Sequence, residues 1–476
     1  MPIALLIGLV RGASYYNPRK HPERALERRN QVLAAFEQTG ILTAAEARDA
    51  VSAPLGVTGK PRARGTRYHA FIDLVRRQLA LVYREEDLKT EGLQIHTTLS
   101  PSDQEKAQKS VIRELDRLHQ RGLSASLQAA MVLADAGSGE VRALVGDRDP
   151  DRAGFNRALN ARRQIGSVIK PLVFLLALEH ESDFNLMTRI EDRPLELKQA
   201  DGSLWSPANY DGVSHGEVSL LEALTRSYNQ ATVRLGLTIG VNHLLNKLRQ
   251  LGVDADIPAV PSVFLGAVEL SPLEVTQIYQ SLAAGGYSVP LRSLTAVQTA
   301  QGNELVRYPL RMMPLKRREV VGVLNYALTQ VVEQGTAKAL PGLVGRQATM
   351  AGKTGTTNDR RDSWFVGYTR DRIAVAWVGE DDNRPARVTG SNAAMHLWAG
   401  LFRELPFEPV DLRLPDGASW LWVDQDSGKQ SADHCEGAIQ IPFVAGSEPA
   451  DMTACVANMQ EQENESFWRK LFGKKK

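Results

Sequence analysis

The order of apolar segments along the chain constrains its fold more than any other sequence feature. Two strand-like segments, QAAMVLAD and EVRALVGD, flank the turn AGSG at 136–139 and predict a β-hairpin. A long stretch with helical periodicity follows, and three further strand-like segments come after it: ATMAGKTGTT, SWFVGYT and RIAVAWVGE. Strands on both sides of a helical middle favour an α+β fold, in which helices flank an antiparallel sheet.

Capping signals predict where two of the helices begin. Ser271 is followed by Pro272 and then by Glu274, which gives the capping-box pattern with proline at the first helical position. Ser102 and Glu105 have the same spacing, and they predict that the earlier helix is capped by Ser102.

The length and composition indicate a folded protein of more than one domain. The chain has 476 residues, of which 43% are hydrophobic and 24% are charged. These values are typical of globular proteins and not of disordered ones. Its 57 basic and 55 acidic residues leave a net charge of +2. Such a near-balance gives no reason to expect nucleic acid as a partner.

Changes in composition divide the chain into four parts. Residues 1–62 are helical and basic, and Leu26, Val32, Leu33 and Phe36 lie on or near one face of an arginine-rich helix. The predicted parts that follow are a linker, the main α+β domain and a C-terminal extension that ends in a polar tail, over 63–100, 101–408 and 409–476.

The number of cysteines gives information about the cell compartment in which the chain folds. The only two, Cys435 and Cys455, allow a single disulfide connectivity. A disulfide here would close a loop of about 20 residues and stabilise the fold by roughly 3 kcal/mol. It would also imply an oxidising compartment such as the periplasm. Two unrelated buried thiols are the alternative.

The N-terminal run MPIALLIGLV is apolar but short. A spanning helix needs ~20 apolar residues, and this run has about half that number. No basic segment precedes it and no small-residue cleavage site follows it, so it does not have the pattern of a signal peptide. We therefore expect no export or anchoring element in this chain, which is either a soluble fragment or has its true N-terminus upstream.

Three short motifs indicate nucleophilic catalysis. Ser167 and Lys170 form an S-x-x-K motif in IGSVIKP, residues 227–229 are SYN, and residues 353–356 are KTGT. Each motif is a weak signal alone, since its residues are common on solvated helix faces. In this order, with KTGT between two apolar strand-like runs, they are a strong signal.

The S-x-x-K motif suggests how the serine is activated. Serine is a poor nucleophile unless a base lies within hydrogen-bond reach, and side chains at i and i+3 of a helix are neighbours. Lysine ordinarily has a pKa near ~10.4, and burial lowers it. Lys170 precedes the apolar run LVFLLAL and has no adjacent acid. We therefore expect Lys170 to be the base for Ser167, with Lys353 as a second cation that lowers its pKa further. Pro171 fits this placement if Ser167 lies near the first helical turn.

The other motif residues are candidates for substrate contacts. The backbone N–H groups of Ser167 and Thr356 are candidate oxyanion donors, the first at a helix N-terminus and the second on a strand edge. Ser227 is placed to relay a proton to a leaving amine, and Asn229 to hold a substrate amide. A cationic, hydroxyl-rich strand suited to a substrate carboxylate is formed by Lys353, Thr354, Gly355 and Thr356.

These motifs and the sequence around them resemble the bifunctional class A penicillin-binding proteins. The similar stretches include GEVRALVGDRDPDRAGFNRALNARRQIGSVIKP, EVSLLEALTRSYNQATVRLG, FLGAVELSPLEVTQIYQSLAAGG and GKTGTTNDRRDSWFVGYT. The resemblance implies the penicillin-binding, β-lactamase-like fold and a D-Ala-D-Ala transpeptidase. Ser167 would attack the penultimate D-Ala carbonyl, D-Ala would leave, and a neighbouring stem peptide's amine would take the acyl group.

The same resemblance implies partners and a location. The expected partners are peptidoglycan stem peptides, β-lactam antibiotics that acylate the same serine, and other cell-wall synthesis proteins. The expected location is the periplasmic side of the inner membrane. No cofactor or metal is expected, and the nine histidines show no HExxH pattern.

The N-terminal part resembles the end of a peptidoglycan glycosyltransferase domain, in LVRGASYYNPRKHPERALERRNQVL. The earlier motifs of that domain, with its catalytic glutamate, are not in the chain, so we expect no polymerase activity from this chain alone. Arg24, Glu27, Arg28 and Arg29 are either remnants of a glycan-phosphate surface or a solvated, charged helix face.

Other functions compete with the transpeptidase. A class A β-lactamase needs a Glu-x-x-Leu-Asn motif to activate water, and HLLNK at His243 lacks the acid, so slow deacylation is expected. A β-lactam sensor would need a membrane-signalling segment, and a degenerate structural remnant would not need three intact motifs. Tyr210 is a candidate to line the cleft. Trp364 is better explained by core packing, and Asp362 and Arg361 are either at the cleft mouth or ordinary surface charges.

Overall fold

The structure, a computed structural model, describes residues 2–57, 68–84, 86, 88, 92–199 and 201–457. The chain divides into two compact units, Met1–Arg67 and Tyr68–Lys476. Across the described ranges, every helix is too short or too polar to cross a bilayer. The polar tail predicted at the end of the C-terminal extension lies outside the described residues, which end at 457.

The first unit consists of three helices. Helix α1 covers Pro2–Val10, α2 covers Pro22–Gln38 and α3 covers Ala44–Ser52. Their shared core is small, and it is centred on Ala4, Val32 and Leu33. Phe36 packs against this core, as its position on the predicted apolar face suggested. Leu26, predicted on or near the same face, is 39% exposed.

Arg29 of the arginine-rich helix α2 has a different role from either one predicted for it. Arg29 is only 1% exposed, and it donates hydrogen bonds to Ala53 O at 2.7 Å and Val51 O at 2.9 Å. It therefore satisfies carbonyl groups at the end of α3, where a helix leaves its last acceptors unpaired. Arg24 lies over the ring of Tyr15, at 4.5 Å from its centroid. Both predictions were wrong for Arg29, because its guanidinium is buried and donates hydrogen bonds to carbonyl groups within the unit.

The second unit contains the remaining elements. Its helices α4 to α14 cover His69–Leu79, Pro101–Gln120, Arg157–Asn160, Lys170–Leu178, Leu220–Arg226, Asn229–Ile239, Val241–Gln250, Pro272–Ala283, Arg318–Glu333, Leu340–Val344 and Met395–Glu404. Single helical turns lie at Gly166–Ile169, Pro261–Leu265, Asn358–Arg360 and Gly390–Ala394. Its strands β1 to β18 cover Gln94–Thr97, Gln128–Asp135, Val141–Val145, Arg163–Gln164, Arg189–Asp192, Leu197–Lys198, Leu204–Trp205, Gly216–Ser219, Glu269–Leu270, Tyr287–Ser288, Leu294–Gln298, Glu304–Arg307, Met313–Pro314, Ala351–Thr356, Asp362–Tyr368, Arg372–Gly379, Ala418–Asp424 and Ala438–Val444.

A five-stranded antiparallel sheet forms the centre of this unit, in the order β14-β15-β16-β2-β3. The predicted hairpin and the three predicted strands therefore join in one sheet. Strands β16 and β2 pair from Arg372 opposite Asp135 to Gly379 opposite Gln128. Strand β14, which carries the KTGT motif, lies at the edge of the sheet, as predicted.

Helices cover both faces of the sheet, because its side chains alternate between them. On one face Phe365 packs edge-on against Trp398 of α14, with ring centroids 5.6 Å apart. On the other face Tyr368 donates a hydrogen bond to Asn325 Oδ1 of α12 at 2.7 Å. Both faces are buried, so the strands are almost continuously apolar rather than alternating.

The segment predicted to be a linker belongs partly to this core. Phe71, Leu74, Val75 and Leu79 of α4 are buried in it, and β1 pairs with β11. The prediction of a linker over 63–100 was therefore wrong for α4 and β1, while 58–67 lie outside the described residues. Proline and glycine before α4 indicated a boundary, but the amphipathic α4 itself supplies core side chains.

The C-terminal extension also packs on the core. Strands β17 and β18 form a hairpin against α12, where Trp420 contacts Tyr326 edge-on at 5.3 Å between centroids. Phe443 is fully buried. A disulfide joins Cys435, in the connection between the two strands, to Cys455, which follows β18, as predicted.

Helix starts follow the capping signals, with one correction. Helix α11 has the predicted capping box, with Ser271 and Glu274 bonded to each other's backbone N–H. Helix α5 begins two residues earlier than predicted: its cap is Ser100 rather than Ser102, and Ser100 accepts from Asp103 N at 3.3 Å. Pro101 follows it at the first helical position, the favoured place for a residue without an N–H.

Candidate active site

Ser167 lies on a single 3₁₀ turn, Gly166–Ile169, immediately before α7. The α-helix itself begins at Lys170, and Pro171 is in its first turn, where its missing N–H removes no helical bond. All nine residues of α7 are buried. The predicted order of nucleophile, base and apolar wall is therefore present, but the serine precedes the α-helix rather than lying on it.

Close backbone packing brings the serine to the KTGT strand. Gly166 has a φ of 54°, and a Cβ there would lie 2.6 Å from Thr356 O. Gly266 has a φ of 83° and abuts Gly166 so closely that any Cβ would overlap its carbonyl. Only glycine is tolerated at such positions. The two predicted oxyanion donors, on Ser167 and Thr356, thereby lie on adjoining backbone segments.

Lys170 is fully buried among oxygen atoms. Its Nζ lies 2.7 Å from Ser227 O, 2.7 Å from Asn229 Oδ1 and 3.3 Å from Tyr228 O. Within the described part of the chain, no carboxylate forms an ion pair with it. Burial, and secondly the charge of Lys353, hold the pKa of Lys170 well below its ordinary value, while the charge of Asp192 opposes this.

Lys353 is also fully buried, and it joins the KTGT strand to the SYN segment. Its Nζ donates to Ser227 Oγ at 2.9 Å and to Thr354 O at 3.0 Å. Burial lowers the pKa of Lys353 to about 7. The two lysines thus approach the Ser227 residue from different sides, one at its carbonyl and one at its hydroxyl.

Ser227 has a strained backbone conformation. Its φ of 63° and ψ of 41° place it in the left-handed region, at the end of α8. This conformation costs a residue with a Cβ about 1–2 kcal/mol. It turns the chain sharply between α8 and α9, so that the Ser227 carbonyl faces Lys170 while the Ser227 hydroxyl faces Lys353. Strain of this kind is concentrated at functional sites.

Asn229 has partners within the protein that its predicted role did not include. Its Oδ1 accepts from Lys170, and its Nδ2 donates to Ala208 O at 2.7 Å. Both ends of the amide are therefore already bonded within the protein. The structure makes Asn229 a direct partner of Lys170, in addition to any contact with a substrate amide.

The threonines of β14 lie at the cleft, and each has a partner. Thr354 Oγ1 shares a hydrogen bond with Thr336 Oγ1 at 2.7 Å, and Thr356 Oγ1 accepts from Gly390 N at 3.1 Å. Thr336 was not among the predicted site residues. It follows α12, and no local motif distinguishes it from any other threonine after a helix.

A cleft of about 1090 Å³, the solvent at its mouth included, joins the three motifs. The predicted motif residues that line it are Ser167, Ser227, Asn229, Thr354 and Thr356. Lining residues that were not predicted include Asn209, Arg226, Tyr228, Thr336 and Ser391.

The remaining predicted residues are placed as follows. Tyr210 is 68% exposed and lines the cleft, as predicted. Trp364 is fully buried and donates to Gln164 O at 2.9 Å, so core packing is its role. Asp362 is 3% exposed and accepts from Trp377 Nε1 at 3.0 Å. Neither prediction for Asp362 was right, since it is a buried acceptor. Arg361 pairs with Asp359 at 3.1 Å near the surface.

Replacing Lys353 by methionine should stabilise the fold more at pH 6 than at pH 9. The pKa of Lys353 is about 7 in the folded chain and about 10.4 when unfolded. Between these values the unfolded chain binds the extra proton, so wild-type stability rises with pH across this window. Melting at both pH values should show a gain from Lys353→Met that is larger at pH 6 by roughly 2–3 kcal/mol. An equal gain at the two pH values would contradict a depressed pKa.

Comparison with known proteins agrees with this geometry. Residues 129–397 match the family described as "Penicillin binding protein transpeptidase domain", and the chain belongs to this family. The match includes all three motifs and the central sheet.

Relatives of the whole chain are penicillin-binding proteins. Penicillin-binding protein 1B of Vibrio cholerae is 39% identical over 443 residues, which cover 93% of this chain and 56% of that protein. Penicillin-binding protein 1B of Escherichia coli is 37% identical over 468 residues, covering 96% of this chain and 54% of that protein. The chain thus spans about half the length of these relatives, and it covers the transpeptidase region with part of the glycosyltransferase end.

Solved structures show the same fold. The crystal structure of penicillin-binding protein 1A from Haemophilus influenzae has a TM-score of 0.78 at 21% identity, covering 94% of this chain and 86% of that one. PonA1 from Mycobacterium tuberculosis, solved in complex with penicillin V, has a TM-score of 0.61 at 25% identity, covering 73% of this chain and 96% of that one.

Proposed function

We propose that this chain is a serine-type D-Ala-D-Ala transpeptidase that cross-links peptidoglycan stem peptides. The observation that carries the proposal is Lys170, a fully buried amine three residues after the serine, which has oxygen partners and, among the described residues, no carboxylate in an ion pair. Its pKa lies well below the ordinary value, a shift toward the neutral amine that a base requires. Family membership supports the same reaction class.

The contacts of Lys170 fit a neutral amine. An ammonium group has three N–H donors, and a neutral amine has two and a lone pair. The two short bonds, each 2.7 Å, use both donors of the neutral form. The third and longest contact, to Tyr228 O, is dispensable because that oxygen also accepts from Thr232 Oγ1 at 2.6 Å. The lone pair is then available for the proton of Ser167.

Acylation follows from this arrangement. Ser167 Oγ bonds to the penultimate D-Ala carbonyl carbon while its proton passes to Lys170 Nζ. The N–H groups of Ser167 and Thr356 stabilise the oxyanion. When the C–N bond breaks, Ser227 passes its proton to the nitrogen of the leaving D-Ala and takes the proton of Ser167 from Lys170, so that Lys170 is neutral again before deacylation. The Ser227 hydroxyl, which accepts from Lys353, keeps its own proton free for this transfer.

Deacylation reverses the roles of the same groups. The amine of a second stem peptide attacks the acyl carbon and gives its surplus proton to Lys170, and Lys170 returns a proton to the Ser167 oxygen, which leaves as the hydroxyl. Lys353, Thr354 and Thr356 form the wall suited to the terminal carboxylate of the donor. A β-lactam would acylate Ser167 through the same steps, but its leaving group stays tethered and blocks the second amine.

The disulfide supports a location in an oxidising compartment. Bonded cysteines persist in the periplasm and are rare in the cytosol. We propose that the chain functions on the periplasmic side of the inner membrane, among other cell-wall synthesis proteins.

Mass spectrometry with benzylpenicillin tests the proposal. We expect one covalent adduct per chain, on the tryptic peptide that contains Ser167, and a lifetime of the acyl-enzyme that far exceeds the acylation time. No adduct, or one on another residue, would overturn the transpeptidase assignment. Rapid loss of the adduct with release of hydrolysed drug would favour a β-lactamase instead.

A further inference from the structure

Asp192 is a buried carboxylate behind the SYN segment, at the end of β5. It is fully buried, and it is bonded by donors from several segments. Its Oδ2 accepts from Asn209 Nδ2 at 2.6 Å, from the backbone N–H of His215 at 3.0 Å and from His215 Nδ1 at 2.8 Å. Its Oδ1 accepts from Ala231 N at 3.1 Å. Four donors therefore hold this carboxylate in place.

Asn209 connects this carboxylate to the SYN segment. The residue is 6% exposed. Its Nδ2 is bonded to Asp192, and its Oδ1 accepts from Asn229 N at 2.6 Å and from Gln230 N at 3.3 Å. These two N–H groups open α9. Asn209 therefore bonds on one side to the buried charge and on the other to the backbone of the residue that contacts Lys170.

Helix α9 needs such an acceptor from outside. Its cap position is Tyr228, and no side chain caps the helix locally. The first N–H groups of a helix have no partner within the helix and require one elsewhere. Asn209, twenty residues earlier in the chain, supplies it. The position of Asn229 Oδ1 on Lys170 thus depends on a residue outside the three motifs.

We propose that Asn209 and Asp192 are positioning residues for the base Lys170. Asn209 holds the start of α9 so that Asn229 Oδ1 and Ser227 O remain on the amine, and Asp192 holds Asn209. The inference rests on the proposed function, in which Lys170 takes the proton of Ser167. Neither residue needs to touch the substrate for this role.

The charge of Asp192 has a separate effect on Lys170. It opposes the lowering of the Lys170 pKa by burial and by Lys353 on β14. The other groups around this carboxylate are His215, whose ring stacks on Tyr228 at 3.9 Å between centroids, and Asp211, whose carboxylate lies 3.2 Å from His215 Nε2. Removing the Asp192 charge should therefore lower the Lys170 pKa.

The test separates binding from acylation with benzylpenicillin. In Asn209→Ala we expect the acylation rate constant to fall about 10- to 100-fold, as a misplaced catalytic group does. The dissociation constant of the non-covalent complex should change less than about two-fold, since the cleft wall is otherwise intact. Asn185→Ala is the matched control, because Asn185 also makes two backbone bonds, to Ser447 O and from Met187 N, but lies off the cleft.

The pH profile of Asp192→Asn gives the second readout. The asparagine oxygen can keep three of the four donors and loses Ala231 N, so the fold should persist. We expect the acidic limb of the acylation rate to move to lower pH by about 0.5–1 unit. Thermal melting shows whether Asn209→Ala folds. If it does not, the pH profile of Asp192→Asn alone tests the positioning role.

The outcomes separate this inference from the proposed function. Normal acylation by both variants, with the acidic limb unmoved or moved to higher pH, would overturn the positioning role while wild-type labelling of Ser167 upholds the transpeptidase. A weaker non-covalent complex with an unchanged acylation rate constant would likewise overturn it. Absence of an adduct in the wild type would overturn the proposed function itself.

Discussion

Ser167→Ala should abolish covalent attachment of benzylpenicillin while leaving the second unit folded. The Ser167 hydroxyl is half-buried and, in the part of the chain that the structure describes, makes no hydrogen bond, so its removal leaves no partner unsatisfied. The substitution therefore removes the nucleophile with little effect on stability. Intact-mass spectrometry should show no adduct after incubation times at least a thousand-fold longer than wild type requires. Thermal melting should be within a few degrees of wild type.

Ser391→Ala is the matched control for this variant. Ser391 is exposed and lines the same cleft, but it belongs to the wall formed by the turn Gly390–Ala394. Its removal should leave the adduct and its rate nearly unchanged. An adduct that persists in Ser167→Ala, or that disappears in Ser391→Ala, would show that the nucleophile had been assigned wrongly.

Local patterns predicted most of the central fold. The hairpin at 128–145, the three strands that contain and follow KTGT, and the start of α11 at Ser271 were confirmed because each has a signal within about ten residues. The same applies to the disulfide, since two cysteines allow one pairing. These features depend on propensity, periodicity and counting, and none of them requires knowledge of distant contacts.

The parts that were missed depend on contacts between distant segments. Helix α4 was assigned to a linker because its neighbours are rich in proline and glycine, although its apolar face is buried in the core. Arg29 was placed on a surface because arginine is rarely buried, although two carbonyl groups at the end of α3 accept its hydrogen bonds. In both cases tertiary packing outweighed the average behaviour of the residue type.

The candidate site likewise combines features that a local motif predicted with features that depend on distant contacts. The motifs identified Ser167, Lys170 and Lys353, but no pattern indicated the left-handed conformation of Ser227 or the contact between Gly166 and Gly266. One signal was available in advance. The SYN motif precedes a helix whose cap position, Tyr228, offers no capping side chain, and this predicts an acceptor from elsewhere in the fold.

The buried lysines suggest that this site reduces stability in favour of reactivity. Lys170 and Lys353 are both fully buried, and burial is the main reason that both have lowered pKa values. Burying a charged amine reduces the stability of the fold. A carboxylate partner would lower this cost, but it would also raise the pKa of the lysine. The chain instead surrounds Lys170 with neutral oxygens, which fits the base role proposed for this amine.

Lys170→Met should therefore slow acylation by benzylpenicillin by about 10²–10⁴-fold, the contribution typical of a general base. Methionine fills the same space without the nitrogen, so the fold should be retained or stabilised. Lys170→Arg should be as slow, because a guanidinium cannot be deprotonated in a protein. Lys247→Met is the control: this lysine is paired with Glu179 at 2.7 Å, and its loss should leave acylation unchanged. Acylation rates of these variants, measured with a fluorescent penicillin, test the prediction. A rate near wild type in either Lys170 variant would exclude this residue as the base.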